Sequence, residues 1–442
     1  MCQLRVPSPS DIRTQTQHVF GVRPCLWQIK ATSAILSGKD VICIAGTGMG
    51  KMLTFWMPLL FRPDGVQIVV TPLNLLGKQN MATTANFQAI AALRYRVIVI
   101  SPEQIMKLDG EFERLLKNQL FMARVVSVVI DEAHCLTEWG EFQPEYRELG
   151  QLRYILPPST PLLIASATFT KHALSDVTRL LHMHHDKTIM VHCSSDRPNI
   201  ETGIRKIKYA MSSFTDLAFL IPDGIKVGNP PPPKFLVFFD DIPNSIAAVH
   251  MMRRRLPHEL QDKIKWFNSD MSAEYKDETL DDFVKGLTWG LFTTTSFGMG
   301  MDVSNVIRVL QWRVTCTLAS LWQRFGRAVR DKELTGTAIL FTEREYFDDE
   351  KVVKACRQAK RDQTKKCTSK EANLPAACGQ SSSSSGANQG KRHKKELEPS
   401  MDFLINAEKR PGVMCQRKVF DVCFDNTSAG GKVLITIMMF TK

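Results

Sequence analysis

Short runs of apolar, largely β-branched residues punctuate the chain as far as residue 341, each bounded by turn or polar residues. In the first half they are Val41–Ile44, Gln67–Val70, Val97–Ile100, Val125–Ile130 and Leu162–Ile164. In the second they are Phe235–Phe239, Ile264–Phe267, Leu291–Thr295, Val306–Gln311 and Thr337–Phe341. Continuous runs without alternation suit strands covered on both faces, and the helix-like segments between them suit crossovers. The pattern predicts an α/β chain with two parallel sheets. Between the two sets, the stretch from Ser194 to Gly228 is followed by Asn229 and Pro230–Pro233. Proline cannot donate to a ladder, so this stretch marks a loop. Two lobes are expected, residues 12–195 and 196–350. After Asp349 the pattern lapses. Residues 351–398 are basic and then Ser-rich, which predicts a solvated, disordered linker, and 399–442 form a small closing module.

Charge narrows the partner. The chain of 442 residues carries 57 Lys and Arg against 45 Asp and Glu, a net charge of +12. A polyanion such as nucleic acid fits that balance, although basic surface also serves solubility. The cluster Lys391-Arg392-His393-Lys394-Lys395 reads as a nuclear import signal, a nucleic-acid tether or a solubilising linker; a nuclear location is expected. Eleven scattered cysteines suit a reducing compartment. The first twenty residues lack the apolar core of a secretory signal, and runs such as Val433–Phe440 are too short to span a bilayer. No membrane partner is expected.

The candidate chemistry sits just after the expected strands, where open α/β sheets bind ligands. Ala45-Gly46-Thr47-Gly48-Met49-Gly50-Lys51-Met52 follows the first run and has the form of a P-loop, G-x-x-x-x-G-K-[ST], in all but its last residue. Its glycines let backbone amides close on phosphate oxygens, and Lys51 supplies a point charge. Met52 stands where a hydroxyl would ligate Mg²⁺, and a thioether is a poor ligand for a hard cation. Asp131-Glu132-Ala133-His134 follows the fourth run. There Asp131 is placed to hold Mg²⁺, through water, and Glu132 to orient and deprotonate an attacking water. Ser166-Ala167-Thr168 follows the fifth run and by itself reads equally as a cap or turn. Gln28 has an amide suited to an adenine edge, or to an exposed helix face. Arg327 and Arg330, three apart on one face, could reach a γ-phosphate across a cleft or line an exposed salt-bridge face. Asp302, in a glycine-rich loop, could hold a ribose hydroxyl or an arginine.

Taken in order, these residues resemble the superfamily 2 helicases and, within them, the RecQ family. The marks are Phe20-Gly21-Val22-Arg23-Pro24 with Gln28, the P-loop, Thr71-Pro72-Leu73, Ser101-Pro102-Glu103, Asp131 to His134, and Ser166-Ala167-Thr168. They continue through Asp196-Arg197-Pro198-Asn199, Phe238-Phe239-Asp240-Asp241 and Phe297 to Asp302, and end at Gln323 to Asp331. The resemblance spans residues 18–345. It implies two RecA-like lobes with ATP and Mg²⁺ in the cleft. Arg23, Gln28, Thr47, Gly48, Met49, Gly50, Lys51, Met52 and Asp302 would face the nucleotide. Lys51, Asp131, Glu132, Arg327 and Arg330 would carry the chemistry. His134, Ser166, Thr168 and Gln323, with Trp139 and Phe142 of an aromatic loop, would couple it to single-stranded or partly duplex DNA. Aromatic faces there could stack on bases, or pack on their own lobe. A 3′-to-5′ DNA helicase is expected. The alternatives are a degenerate relative that binds ATP or nucleic acid without unwinding, and an RNA helicase.

The chain departs from that pattern at several points. Besides Met52, the aromatic loop is one residue short with Gln143 in place of an arginine. Val329 replaces a glycine between the two arginines. The stretch from Thr71 to Arg96 is short by one βα unit. The segment Cys415 to Phe424 looks like the opening of the family's zinc-binding subdomain, but no Cys or His follows Cys423, so no zinc is expected and the module reads as a truncated remnant.

Overall fold

The computed structural model describes residues 5–72, 84–138, 144–297, 303–331, 333–368 and 397–428. Trp139, Phe142, Gln143, Asp302 and the basic cluster at 391–395 lie outside the described residues. Twelve strands build two six-stranded sheets. The first holds β1 Asp40–Ile44, β2 Val66–Val70, β3 Val97–Ile100, β4 Val125–Ile130, β5 Leu162–Ser166 and β6 Thr188–His192, ordered β3-β2-β4-β5-β1-β6. The second holds β7 Ile200–Lys206, β8 Phe235–Phe238, β9 Ile264–Phe267, β10 Gly290–Thr293, β11 Arg308–Trp312 and β12 Gly336–Thr342, ordered β7-β12-β11-β8-β10-β9. Every pairing is parallel, for instance Val41 with Leu163 and Leu310 with Ile339.

The central strands β1, β2 and β5 are buried along their whole length. Helices on both faces therefore cover them, which is why their sequences read as continuous apolar runs. β3 ends the first sheet and pairs with β2 alone, and its Val99 is exposed. Helix Thr84–Ala91 is the described part of the connection between β2 and β3.

Two expectations about the end of the chain change. The expected linker opens as a helix, Asp348–Thr368. Its first turn carries Asp348, Asp349 and Glu350, which complement the helix dipole, and the Lys, Arg, Gln and Ala that follow favour helix without needing a core. The described part of the closing segment, 399–428, is no separate unit. Helices Pro399–Asn406 and Gln416–Cys423, with Phe424 just after the second, send Met401, Leu404, Phe420 and Phe424 into the same core as Leu236, Trp322 and Leu340 of the second lobe. Arg410 grips Asp348 with two hydrogen bonds of 2.8 Å, and Asn406 Oδ1 accepts from the Asp348 amide at 2.9 Å. Cys415 and Cys423 are free thiols. Among the described residues no helix is long and apolar enough to cross a membrane.

Candidate nucleotide site between the lobes

The P-loop leaves β1 at Ile44 and enters helix Lys51–Trp56. Gly48 and Gly50 take φ of +80° and +79°, a region that glycine enters without steric cost. Lys51 Nζ donates to the carbonyls of Ala45 at 2.8 Å and Gly46 at 3.5 Å, so its ammonium lies inside the loop. Met52 is 59% exposed. Gln28 is buried, with both ends of its amide in use. Its Oε1 accepts from the Cys25 amide at 2.7 Å, and its Nε2 donates to the Gly50 carbonyl at 2.9 Å. It therefore braces the P-loop, a role its sequence context alone did not reveal. Arg23 is exposed.

Asp131 and Glu132 follow β4 directly. Burial first, and then the charge of Glu132, push the Asp131 carboxyl up from its ordinary value, against the opposing pull of Lys51. Glu132 sits at φ +48°, unusual for a residue with a side chain and a form of strain that clusters at functional sites. Its Oε2 is buried without a hydrogen bond, 3.5 Å from His134 Nδ1. His134 Nδ1 is instead 3.0 Å from Ser166 Oγ, which also accepts from the Thr168 amide at 3.1 Å.

The second lobe closes on this cluster through helix Leu318–Phe325. Gln323 Nε2 lies 2.8 Å from His134 Nε2 and 3.1 Å from Thr168 Oγ1. With the amide as donor, His134 accepts at Nε2 and carries its proton on Nδ1, toward Ser166. Three segments far apart in sequence, at His134, at Ser166 with Thr168 and at Gln323, thus form one polar chain across the cleft.

Arg327 and Arg330 lie on the turn after that helix. The Cβ of any side chain at Gly326 would stand 3.4 Å from Thr47 Oγ1, so the turn abuts the P-loop. Arg324 is the arginine that spacing did not single out, and it is excluded from reaching a phosphate. It is buried and held by Asp240, with Nη2 2.6 Å from Oδ1 and Nη1 3.2 Å from Oδ2, and by Gln311. Burial works to raise the Asp240 carboxyl, but the hydrogen bonds and charge of Arg324 hold it below its ordinary value. Val329 is fully buried at φ +33°.

The donor set fits a nucleoside triphosphate and a hard cation. The loop has the left-handed glycines and the lysine of a phosphate cradle, and buried, unpartnered Glu132 Oε2 can accept from a water. Asp131 would supply a carboxylate toward such a cation; exposed Met52 would supply no oxygen.

Comparison with known proteins agrees with this geometry. A family model described as DEAD/DEAH box helicase matches residues 26–177, and one described as helicase conserved C-terminal domain matches residues 226–332. The chain is 27% identical over 341 residues to the ATP-dependent DNA helicase RecQ of Haemophilus influenzae, covering 72% of this chain and 50% of that protein. It is 28% identical over 349 residues to the probable ATP-dependent DNA helicase RecS of Bacillus subtilis, covering 72% and 64%. The chain thus spans between half and two thirds of the length of these relatives. In fold it is similar to the DUF1998 helicase MrfA bound to DNA, with a TM-score of 0.58 at 14% identity, covering 76% and 51% of the two chains. It is likewise similar to S. cerevisiae Dbp5 bound to RNA and ADP BeF3, with a TM-score of 0.55 at 17% identity, covering 77% and 88%. The two RecA-like lobes, the two matched helicase regions and the RecQ and RecS relatives aligned across both together place the chain among the RecQ-like superfamily 2 helicases.

Proposed function

We propose that the chain is the motor of an ATP-dependent DNA helicase that moves 3′ to 5′ along single-stranded DNA and opens partly duplex DNA, serving recombination, repair and replication in the nucleus. The observation that carries this reading is the buried chain from Glu132 and His134 through Ser166 and Thr168 to Gln323. It links the carboxylate beside the expected water to the opposite lobe, as a motor that converts hydrolysis into lobe movement requires. In this reading Lys51 leaves the Ala45 and Gly46 carbonyls for phosphate oxygens, and the P-loop amides orient the phosphates. Asp131 holds Mg²⁺ through water, and the cation would neutralise phosphate charge. Glu132 orients the water and takes its proton. Arg327 or Arg330 adds positive charge from the second lobe, worth ~10³–10⁵ in rate where such arginines have been measured. Gln28 keeps Gly50 in place.

A second reading, binding without productive turnover, draws support from Met52. Removing a group that orients a metal ligand costs ~10–100-fold in affinity or activity, and a missing ligand oxygen costs no less unless a water replaces it. The test compares parent chain and Met52→Thr in ATP hydrolysis with and without single-stranded DNA, and in displacement of strands bearing 3′ or 5′ tails. A rise of ~10–100-fold at limiting Mg²⁺ is expected for Met52→Thr. If neither chain shows DNA-stimulated hydrolysis, the helicase reading is lost. If both hydrolyse equally and unwind, the degenerate reading is lost.

A further inference from the structure

Residues 193–199 carry the chain from β6 of the first sheet to β7 of the second. Their side chains reach forward into the turn that bears Arg327 and Arg330. Arg197 donates to the carbonyls of Gly326 at 3.3 Å, Ala328 at 3.1 Å and Val329 at 2.8 Å. Asn199 Nδ2 donates to those of Val329 at 3.0 Å, Asp331 at 3.3 Å and Leu334 at 3.2 Å. The backbone on either side of both arginines is therefore held from the crossing segment.

That segment is itself held by the closing helix, Gln416–Cys423, and the turn after it. Arg417 pairs with Asp196 and donates to the carbonyls of Arg197 at 3.0 Å and Ile200 at 2.6 Å. Asn426 Oδ1 accepts from both the amide and the hydroxyl of Ser195, at 2.8 and 3.1 Å. The Ser195 carbonyl in turn accepts from Trp322 Nε1 at 3.2 Å, and the Trp322 ring lies against Phe420 with centroids 4.3 Å apart. A planar guanidinium can hold a carboxylate and two carbonyls at once in a fixed direction; an ammonium cannot.

We infer that Arg417 is a positioning residue for ATP turnover: it fixes the crossing segment from which Arg197 and Asn199 set the turn carrying Arg327 and Arg330. The inference rests on the ATPase reading of the cleft and extends it to a residue that contributes no group to the P-loop. The closing module, read from its cysteines as a remnant, then has work of its own.

The experiment uses the full chain and its Arg417→Ala and Arg417→Lys variants. For Arg417→Ala, kcat should fall roughly 3- to 30-fold, the range seen for coupling residues outside a ligand site, with KM for ATP little changed. Arg417→Lys should restore part of it, because the charge on Asp196 is kept while the fork is lost. Amide exchange across 326–331, measured without nucleotide, should be faster in both variants. An inactive parent refutes the ATPase reading, and exchange still decides the inference: unchanged exchange overturns it whatever the turnover. An active parent with unaltered kcat in the variants also overturns it. So does a loss in which kcat, KM and melting temperature shift together in Arg417→Ala while Arg417→Lys matches the parent in kcat and exchange, because the role is then merely structural.

Discussion

Val329 tests whether the arginine turn is strained. A residue with a Cβ in the left-handed region costs ~1–2 kcal/mol, and Val329 is there at φ +33°. The site nevertheless keeps the valine because its side chain is fully buried, and because Gly336 makes room: a Cβ at 336 would stand 2.8 Å from Val329 Cγ2. Val329→Ala removes two buried methyl groups and should destabilise by about 1.6 kcal/mol before any cavity cost. At an ordinary site, glycine would be worse than alanine. One more buried carbon is worth ~0.8 kcal/mol, and the freer unfolded chain adds ~0.4–1. Here the relieved strain of ~1–2 kcal/mol offsets that sum of ~1.2–1.8. Val329→Gly and Val329→Ala should therefore be equally stable to within ~0.5 kcal/mol. Urea unfolding of the parent and both variants, compared by midpoint at a common slope, measures the difference. If Val329→Gly lies a further ~1.5 kcal/mol below Val329→Ala, the position carries no strain and the argument fails.

Asp240→Ala should destabilise the second lobe by ~3–5 kcal/mol, because it leaves Arg324 buried without its carboxylate, and adding Arg324→Met should recover much of the loss in urea unfolding. Gln323→Ala removes two contacts across the cleft, neutral hydrogen bonds of ~0.5–1.5 kcal/mol each, and should lower DNA-stimulated kcat while nucleotide affinity, read by a fluorescent ADP analogue, holds. His192 should make the fold acid-sensitive. Burial, opposed by Asp425 and the Phe424 carbonyl, lowers its pKa from 6.5, so the unfolded chain takes up the proton first. Its neutral form in the fold means that stability falls as pH drops through 6.5 and keeps falling until the folded imidazole also protonates, and His192→Asn should flatten melting temperature against pH in that window.

The ten strands read from apolar runs lie within two residues of those in the structure; eight of them are central parallel strands, apolar on both faces, where burial leaves the pattern no freedom. β6 and β7 escaped that reading. Unlike the edge strand β3, which is Val and Ile throughout, both mix apolar with polar residues and buried with half-exposed positions, as in Ile200 to Lys206, so neither a continuous run nor a clean alternation marks them. The helix Asp348–Thr368 was hidden by the opposite fault: its polar composition suits a solvated segment as well as a solvated helix. Motif order stood in for tertiary contact: the structure brings Lys51 near Asp131, and Glu132, His134, Ser166, Thr168 and Gln323 into one cluster, as their order suggested. The Arg324–Asp240 pair was not, because what assigns Arg324 to structure is a carboxylate 84 positions away. Nor was the bracing of Gly50 by Gln28, since an amide suited to an adenine edge is equally suited to a carbonyl and a backbone amide.

Met52 and Val329 depart from the family pattern in different ways, and the structure separates their consequences. Met52 is exposed, so its replacement by a hydroxyl residue would change the expected metal position and almost nothing of the fold. Val329 is the reverse: it contributes no ligand, yet its carbonyl is the acceptor for both Arg197 and Asn199. A left-handed backbone at 329 is what turns that carbonyl toward the crossing segment, and valine adopts it only because surrounding burial outweighs the local cost. The contact that joins the lobes, His134 to Gln323, and the one that holds the arginine turn, Arg197 to its carbonyls, run through neither departure's side chain. Met52→Thr therefore probes the expected metal position alone, because Met52 takes no part in the contacts of His134 and Thr168 with Gln323.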